Sequence, residues 1–196
     1  REGYECIPNI ILLSTHLAAQ TKTLKFGCGF NIVPMWHPLR LAEDYATADI
    51  LTGGRMIFGV GRGYHSREVE TFGSPVIDND ANRELFEEQI EVILKAFNQE
   101  SFSHKGNHYS IPAEVPYRGY DLKEITLVPR PQNIPVETWQ PIVSGGSIEF
   151  TARKGFNGVV ALTGDQLVDD IFHKFRDACV ENGRGGLLGE NLALGL

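Results

Sequence analysis

No apolar run in this sequence approaches the roughly 18 residues that a membrane-spanning helix needs. Cysteine is scarce: Cys6, Cys28 and Cys179 stand far apart and are odd in number. With no CxxC pair and no His/Cys cluster, no metal site is indicated, and the thiols read as reduced in a cytoplasmic protein. Basic excess is also missing, because 18 Lys+Arg face 25 Asp+Glu and give a formal net charge of −7. A general nucleic-acid binder would carry a basic face, so that class is set aside. Arg1-Glu2-Gly3-Tyr4-Glu5 lacks the charged-then-apolar order of a signal peptide. Position 1 is not Met, so it need not be the natural start. There is no long-period repeat, no low-complexity tract, and no HExxH or Ser-His-Asp arrangement.

What is present is an ordinary globular composition, 42% hydrophobic and 22% charged over 196 residues. Helix-like and strand-like segments alternate. Residues 8–19 read as a helix with Ile11, Thr15 and Ala18 on one side. Leu24 to Val33 (LKFGCGFNIV) reads as a buried strand, and His37-Pro38 opens a helix carrying Leu41, Tyr45, Ala48 and Leu51 to a stop at Gly53-Gly54. Arg55 to Gly61 is a second strand. Beyond a polar loop, Asn82 to Asn98 is a helix with Phe86, Ile90, Ile93 and Phe97 inward.

Residues 99–140 interrupt this rhythm with a hairpin turning at Gly106-Asn107 and a Pro129-Arg130-Pro131 stretch, an excursion of the kind that is usually functional or mobile. Then come a short strand from Pro141 to Ser144, a helix capped by Ser147 and ending at Gly155, and a strand from Gly158 to Leu162. A helix through Leu167, Ile171, Phe175 and Cys179 and a strand from Asn191 to Leu196 complete the chain. Strict βα alternation predicts an α/β fold with a parallel sheet, either doubly wound or a closed eight-stranded barrel. Residues 1–196 are read as one domain.

Two turns carry the chemistry. Gly59-Val60-Gly61-Arg62-Gly63-Tyr64 follows a buried strand, where glycines admit close backbone approach and Arg62 offers a fork of donors to a phosphate. It departs from the dinucleotide fingerprint, because Tyr64 stands where a glycine is required. Ser144-Gly145-Gly146-Ser147, between a strand and a helix, reads either as an anion cradle at a helix N-terminus or as an ordinary capped βα turn. Asn31, Arg62 and Ser144 all fall at the C-terminal ends of strands, where both architectures bind ligands. Arg83 opens the long helix beside Glu84, Glu87 and Glu88, which composition alone reads as a solvated ion-pair face. His37 reads as a cap, His65 as a neighbour of the glycine turn, and His16, His104, His108 and His173 as surface or packing residues. No acid/base pair is identifiable. Composition and spacing alone therefore end at an α/β protein that binds a phosphorylated ligand.

The stretch from Leu24 to Gly73 goes further. Its segments FGCGFNIVPMWHPLRLAEDYATADILTGGR and MIFGVGRGYHSREVETFG resemble the bacterial luciferase-like monooxygenase family. The matching elements are His37-Pro38-Leu39-Arg40, Ala42-Glu43-Asp44, Thr52-Gly53-Gly54-Arg55, Gly59 to Gly63 and Glu68 to Gly73. Arg83, Pro129-Arg130-Pro131-Gln132 and Ile142 to Ser147 follow in the family's order.

The resemblance implies a (β/α)8 TIM barrel that binds reduced FMN or, in a sister branch, the deazaflavin F420. It implies a cofactor phosphate held by Arg62 within Gly61-Arg62-Gly63, with help from Arg83 and the turn Ser144, Gly145, Gly146 and Ser147. The flavin ring would lie over Gly29, Phe30 and Asn31, where the family often has a non-proline cis peptide. The implied reaction uses reduced FMN and O2 to oxidise a small organic substrate, with a flavin reductase as partner. A homodimer would pair through residues 8–19 and part of Leu39 to Leu51. The 196 residues would cover about strands three to seven of eight, and the segment bearing a catalytic His would precede them, so the catalytic residue is unassigned. Alternatives are F420-dependent hydride transfer, a non-catalytic flavin-binding or dimer-partner subunit, and a doubly wound nucleotide-binding domain. No residue of the excursion, including Phe102, His104, His108, Tyr109 and Tyr117, names the substrate.

Overall fold

The computed structural model describes residues 9–161 and 164–195. The first helix, α1 (Ile10–Ala18), is capped by the Asn9 side chain, which accepts from the Leu12 N–H at 3.0 Å. Pro8, where that helix was expected to begin, lies outside the described residues. The run expected as one strand divides into β1 (Phe26–Gly27) and β2 (Asn31–Ile32), with a cis Gly29–Phe30 peptide between them. Its end is a 3-10 turn over Val33–Met35, because Pro34 removes a ladder donor there. Helix α2 (Pro38–Leu51) starts as expected, with Pro38 at its first position and His37 Nδ1 accepting from Leu39 N–H at 3.3 Å. Leu41, Tyr45 and Ala48 are buried, whereas Leu51 is exposed. Gly53 and Gly54, both at positive φ, end it.

β3 (Met56–Gly61) leads into α3 (Ser66–Thr71), a helix where only a polar loop was expected. Its one buried residue is Val69, too little to leave a periodic trace. Helix α4 (Asn79–Asn98) begins three residues before the expected Asn82. Asp78 takes the cap, accepting from Asp80 N–H at 3.2 Å and Ala81 N–H at 3.0 Å. The excursion contains the expected hairpin, β4 (His104–Lys105) with β5 (Ser110–Ile111), and a second one, β6 (Pro116–Tyr117) with β7 (Tyr120–Asp121), turned by positive-φ Arg118 and Gly119. β8 (Thr138–Pro141) lies three residues upstream of the expected strand. Then come α5 (Gly145–Arg153), β9 (Asn157–Ala161), α6 (Asp165–Glu181) and β10 (Leu192–Gly195). Leu162 and Leu196, expected strand residues, lie outside the described residues.

The sheet settles the architecture. Its order is β1 and β2, then β3, β8, β9 and β10, all parallel. Strands enter in chain order without a reversal, so no switch point exists and the doubly wound alternative falls. The sheet is a curled half-barrel of the α/β barrel type. Phe58 of β3 meets Tyr45 of α2 at 4.7 Å and Phe97 of α4 at 5.5 Å between ring centroids, and this aromatic triad anchors the helix-side core. Ile142, Val160, Ile171 and Phe175 form a second cluster under α5 and α6. Among the described residues no helix is long and apolar enough to cross a membrane, and Cys28 and Cys179 are buried free thiols.

The first hairpin of the excursion folds back along α4. The Glu88 carboxylate accepts from the N–H groups of Asn107 (3.0 Å) and Tyr109 (2.9 Å), and from that of His108 (3.0 Å). It also receives His104 Nε2 at 3.0 Å. Lys95 Nζ sits 3.3 Å from His104 Nδ1. At the next residue, Gln89 Nε2 donates to both the Trp36 carbonyl and the Tyr109 hydroxyl at 2.8 Å, and the Tyr109 ring stands edge-on to His37.

Candidate functional site

Three consecutive strand ends build the site. β2 pairs with β3 in the register Asn31↔Val60 and Ile32↔Gly61, and β3 continues to β8 through Gly59↔Trp139. Gly29, Phe30, Gly61, Arg62 and the turn after β8 are therefore neighbours at one edge of the half-barrel. On the inner face of the sheet the Phe30 side chain covers β3. Its ring is 3.2 Å from where a Cβ on Gly59 would sit, and its Cβ is 3.5 Å from the corresponding point on Gly61. Gly59 has a stricter reason to be glycine, since a Cβ there would fall on the Cys28 carbonyl oxygen.

Asn31 behaves differently from the expectation that it faces a ligand. Its side chain is buried and donates to the Gly59 carbonyl at 3.0 Å, bracing β2 on β3. Burial also pushes the Cys28 thiol up, against smaller opposing hydrogen bonds with Asn31 and Ser14. Gly63 has φ +82 and packs on Val69 and Ile32, so it shapes the turn that launches Arg62.

Arg62, half-buried, projects toward the start of α4. Its Nη1 donates to Asn79 Oδ1 (3.1 Å), to the Asn79 carbonyl (3.4 Å) and to Asn82 Oδ1 (3.2 Å). Burial, and then the neighbouring Arg83 guanidinium, hold the Arg62 pKa below its ordinary value, while Glu87 pulls it back. Arg83 in turn lies over the turn after β8, its Nη1 2.7 Å from where a Cβ on Gly146 would sit. The expected pairing of Arg83 with its acidic neighbours is not found. Glu88 is turned to the hairpin, Glu84 accepts from Asn107 Nδ2 at 2.6 Å, and Glu87 faces Arg153 at 3.8 Å. Among the described residues neither Arg62 nor Arg83 forms an ion pair.

The turn after β8 is a capping box read one phase differently from the expectation. Ser144, not Ser147, is the N-cap of α5, with its Oγ accepting from the Ser147 N–H at 3.3 Å. Ser147 reciprocates, its Oγ accepting from the N–H groups of Ser144 (3.0 Å) and Val143 (3.1 Å). The Ser147 hydroxyl is thus spent on the turn. Gly145 and Gly146, at the first two helical positions, are exposed and leave their N–H groups without intrahelical acceptors. Sequence reasoning missed Asn79 and Asn82, because an Asn in the first turn of a helix reads only as a mild cap signal.

Residues 1–186 match the family model described as luciferase-like monooxygenase. The oxygenase component of a flavin-dependent trigonelline monooxygenase from Acinetobacter baylyi is 29% identical over 180 residues, 90% of this chain and 46% of that protein. Among solved structures, the oxygenating constituent of 3,6-diketocamphane monooxygenase from Pseudomonas putida, in complex with FMN, matches with a TM-score of 0.77 at 22% identity. That match covers 97% of this chain and 52% of the other. Coenzyme F420-dependent tetrahydromethanopterin reductase from Methanopyrus kandleri matches at 0.69 with 19% identity, over 94% and 52%. These two are likenesses of fold. The chain spans less than half the length of the curated relatives it matches.

Proposed function

The chain belongs to the luciferase-like monooxygenase family, and from that premise we propose that it is part of an FMN-dependent monooxygenase whose flavin phosphate lies between Arg62, Arg83 and the start of α5. The observation that carries this reading is Arg83 lying over the exposed Gly145-Gly146 turn and near enough to Arg62 to lower its pKa, with neither guanidinium ion-paired among the described residues. Two neighbouring cations repel, and an anion placed between them relieves that cost. A phosphomonoester suits the donor set: planar forks from the arginines and free N–H groups at a helix N-terminus.

Reduced FMN, when bound, would supply the two electrons that take one atom of O2 to water while the other atom enters an organic substrate. The chain's own residues bind and orient. Arg62 and Arg83 hold the phosphate, and Phe30 presents an apolar wall over Gly59 and Gly61 for a flat ring. A flavin reductase would deliver the reduced cofactor, as the word "component" in the name of the trigonelline enzyme fits.

The test is a titration of the full natural polypeptide with FMN. Arg62→Ala is expected to weaken binding about 10- to 150-fold, the worth of one hydrogen bond to a charged group. Unchanged affinity would sink the phosphate assignment. Oxygen uptake with reduced FMN, set against absorbance changes of F420, separates oxygenation from hydride transfer in the deazaflavin branch. Neither activity in a flavin-loaded protein would favour a non-catalytic subunit.

The proposal extends to a homodimer. Helix α1 leaves Leu12, Leu13 and Leu17 exposed, and Ile50 and Leu51 are exposed at the end of α2. Such a surface belongs in a buried setting. Sedimentation should show a dimer that Leu13→Glu with Leu17→Glu converts to monomer. A wild-type monomer at micromolar concentration overturns this part.

A further inference from the structure

We propose that Asn79 and Asn82 are a positioning pair that seats Arg62 for anion binding while leaving its charge unspent. The inference rests on the phosphate reading above and assigns a role to two residues outside it. Asn82, 1% exposed, holds Arg62 at both ends. Its Nδ2 donates to the Arg62 carbonyl at 3.2 Å and to the Pro75 carbonyl at 2.7 Å, while its Oδ1 accepts from Arg62 Nη1 at 3.2 Å. Backbone and guanidinium of one residue are thereby tied to one amide. Asn79 adds its Oδ1 at 3.1 Å and its carbonyl at 3.4 Å.

Every oxygen on Nη1 is therefore neutral, and among the described residues Nε and Nη2 donate to no acceptor. A guanidinium carries five N–H donors, so the contacts on Nη1 leave the rest of the fork directed elsewhere. Neutral partners matter here. An aspartate at position 79 or 82 would give Arg62 a carboxylate at hydrogen-bond distance, and a bound phosphate would then compete with that ion pair and meet its repulsion.

The charge at position 79 separates positioning from helix stability, because the two roles predict opposite signs. Asn79 is exposed at the first position of α4, where an aspartate favours the helix macrodipole. Asn79→Asp should therefore keep or raise thermal stability. On the positioning role it should weaken FMN binding about tenfold or more, with riboflavin, which lacks the phosphate, bound within about twofold of wild type. Asn79→Ala, which stays neutral, should lose far less.

Equal weakening for FMN and riboflavin would mark the pair as structural and overturn the proposal. So would wild-type FMN affinity in Asn79→Asp while Arg62→Ala weakens it. If Arg62→Ala also leaves FMN affinity unchanged, the phosphate reading itself has failed, which distinguishes the two failures.

Discussion

Gly59→Ala is expected to lower stability by about 3 kcal/mol, at the upper end of what overpacking a close contact costs. The added Cβ would fall on the Cys28 carbonyl oxygen and lie 3.2 Å from the Phe30 ring. Neither neighbour can step aside. The carbonyl is backbone beside β1, and the ring is confined over β3. The strand itself must shift, and with it the Asn31 amide bond to the Gly59 carbonyl and the take-off point of Arg62. FMN binding should fall along with stability. Denaturant midpoints measure the effect, with Gly145→Ala as the control, since a Cβ at Gly145 meets nothing within 4 Å. That control should stay near wild type in stability. Equal midpoints for the two variants would show that β1 and β3 do not approach as described.

The second large effect is expected at Glu88. Glu88→Ala should cost about 2 kcal/mol, because three hairpin N–H groups and the His104 Nε2–H lose the one carboxylate on which they converge. Hydrogen exchange should accelerate first at Asn107, His108 and Tyr109. Exchange unchanged at those amides would refute the clamp. The same residue sets a pH dependence. Burial pushes the Glu88 carboxyl up, but the hydrogen bonds from His104, His108 and Tyr109 outweigh it, and the net shift is below the ordinary 4.5. A folded-state pKa below the unfolded one means that the stabilisation is complete above about pH 4.5 and lost as pH falls through the folded value. Glu88→Gln should flatten that acid limb.

The parts of the fold that were legible are those written locally. Apolar periodicity marked α2 and α4, and glycines after an apolar strand marked the Gly59–Gly63 turn. What stayed hidden depends on distant partners. Glu88 looked like one more acid on a solvated helix face, and only the hairpin some twenty residues on shows what it binds. Arg83 looked paired for the same reason. The Ser144/Ser147 phase was ambiguous because a capping box places a hydroxyl at both positions, and either fits a strand–helix turn. The second hairpin escaped because two-residue strands leave no alternation to read. For the candidate site, Arg62, Arg83 and the Ser144–Ser147 turn could be named from sequence. The neutral amides beneath Arg62 could not, since they act through contacts across the loop from β3 to α4.

The excursion after α4 starts at the end of the half-barrel opposite the strand C-termini, yet its first hairpin returns far enough for Tyr109 to share the Gln89 amide with Trp36. One donor group therefore serves two segments that the barrel's layout keeps apart. A graft of this hairpin from a relative would be felt in the loop that precedes α2, even if every residue of that loop were left untouched. Recombination and loop-swapping in this protein should treat Trp36, Gln89 and Tyr109 as one inherited unit.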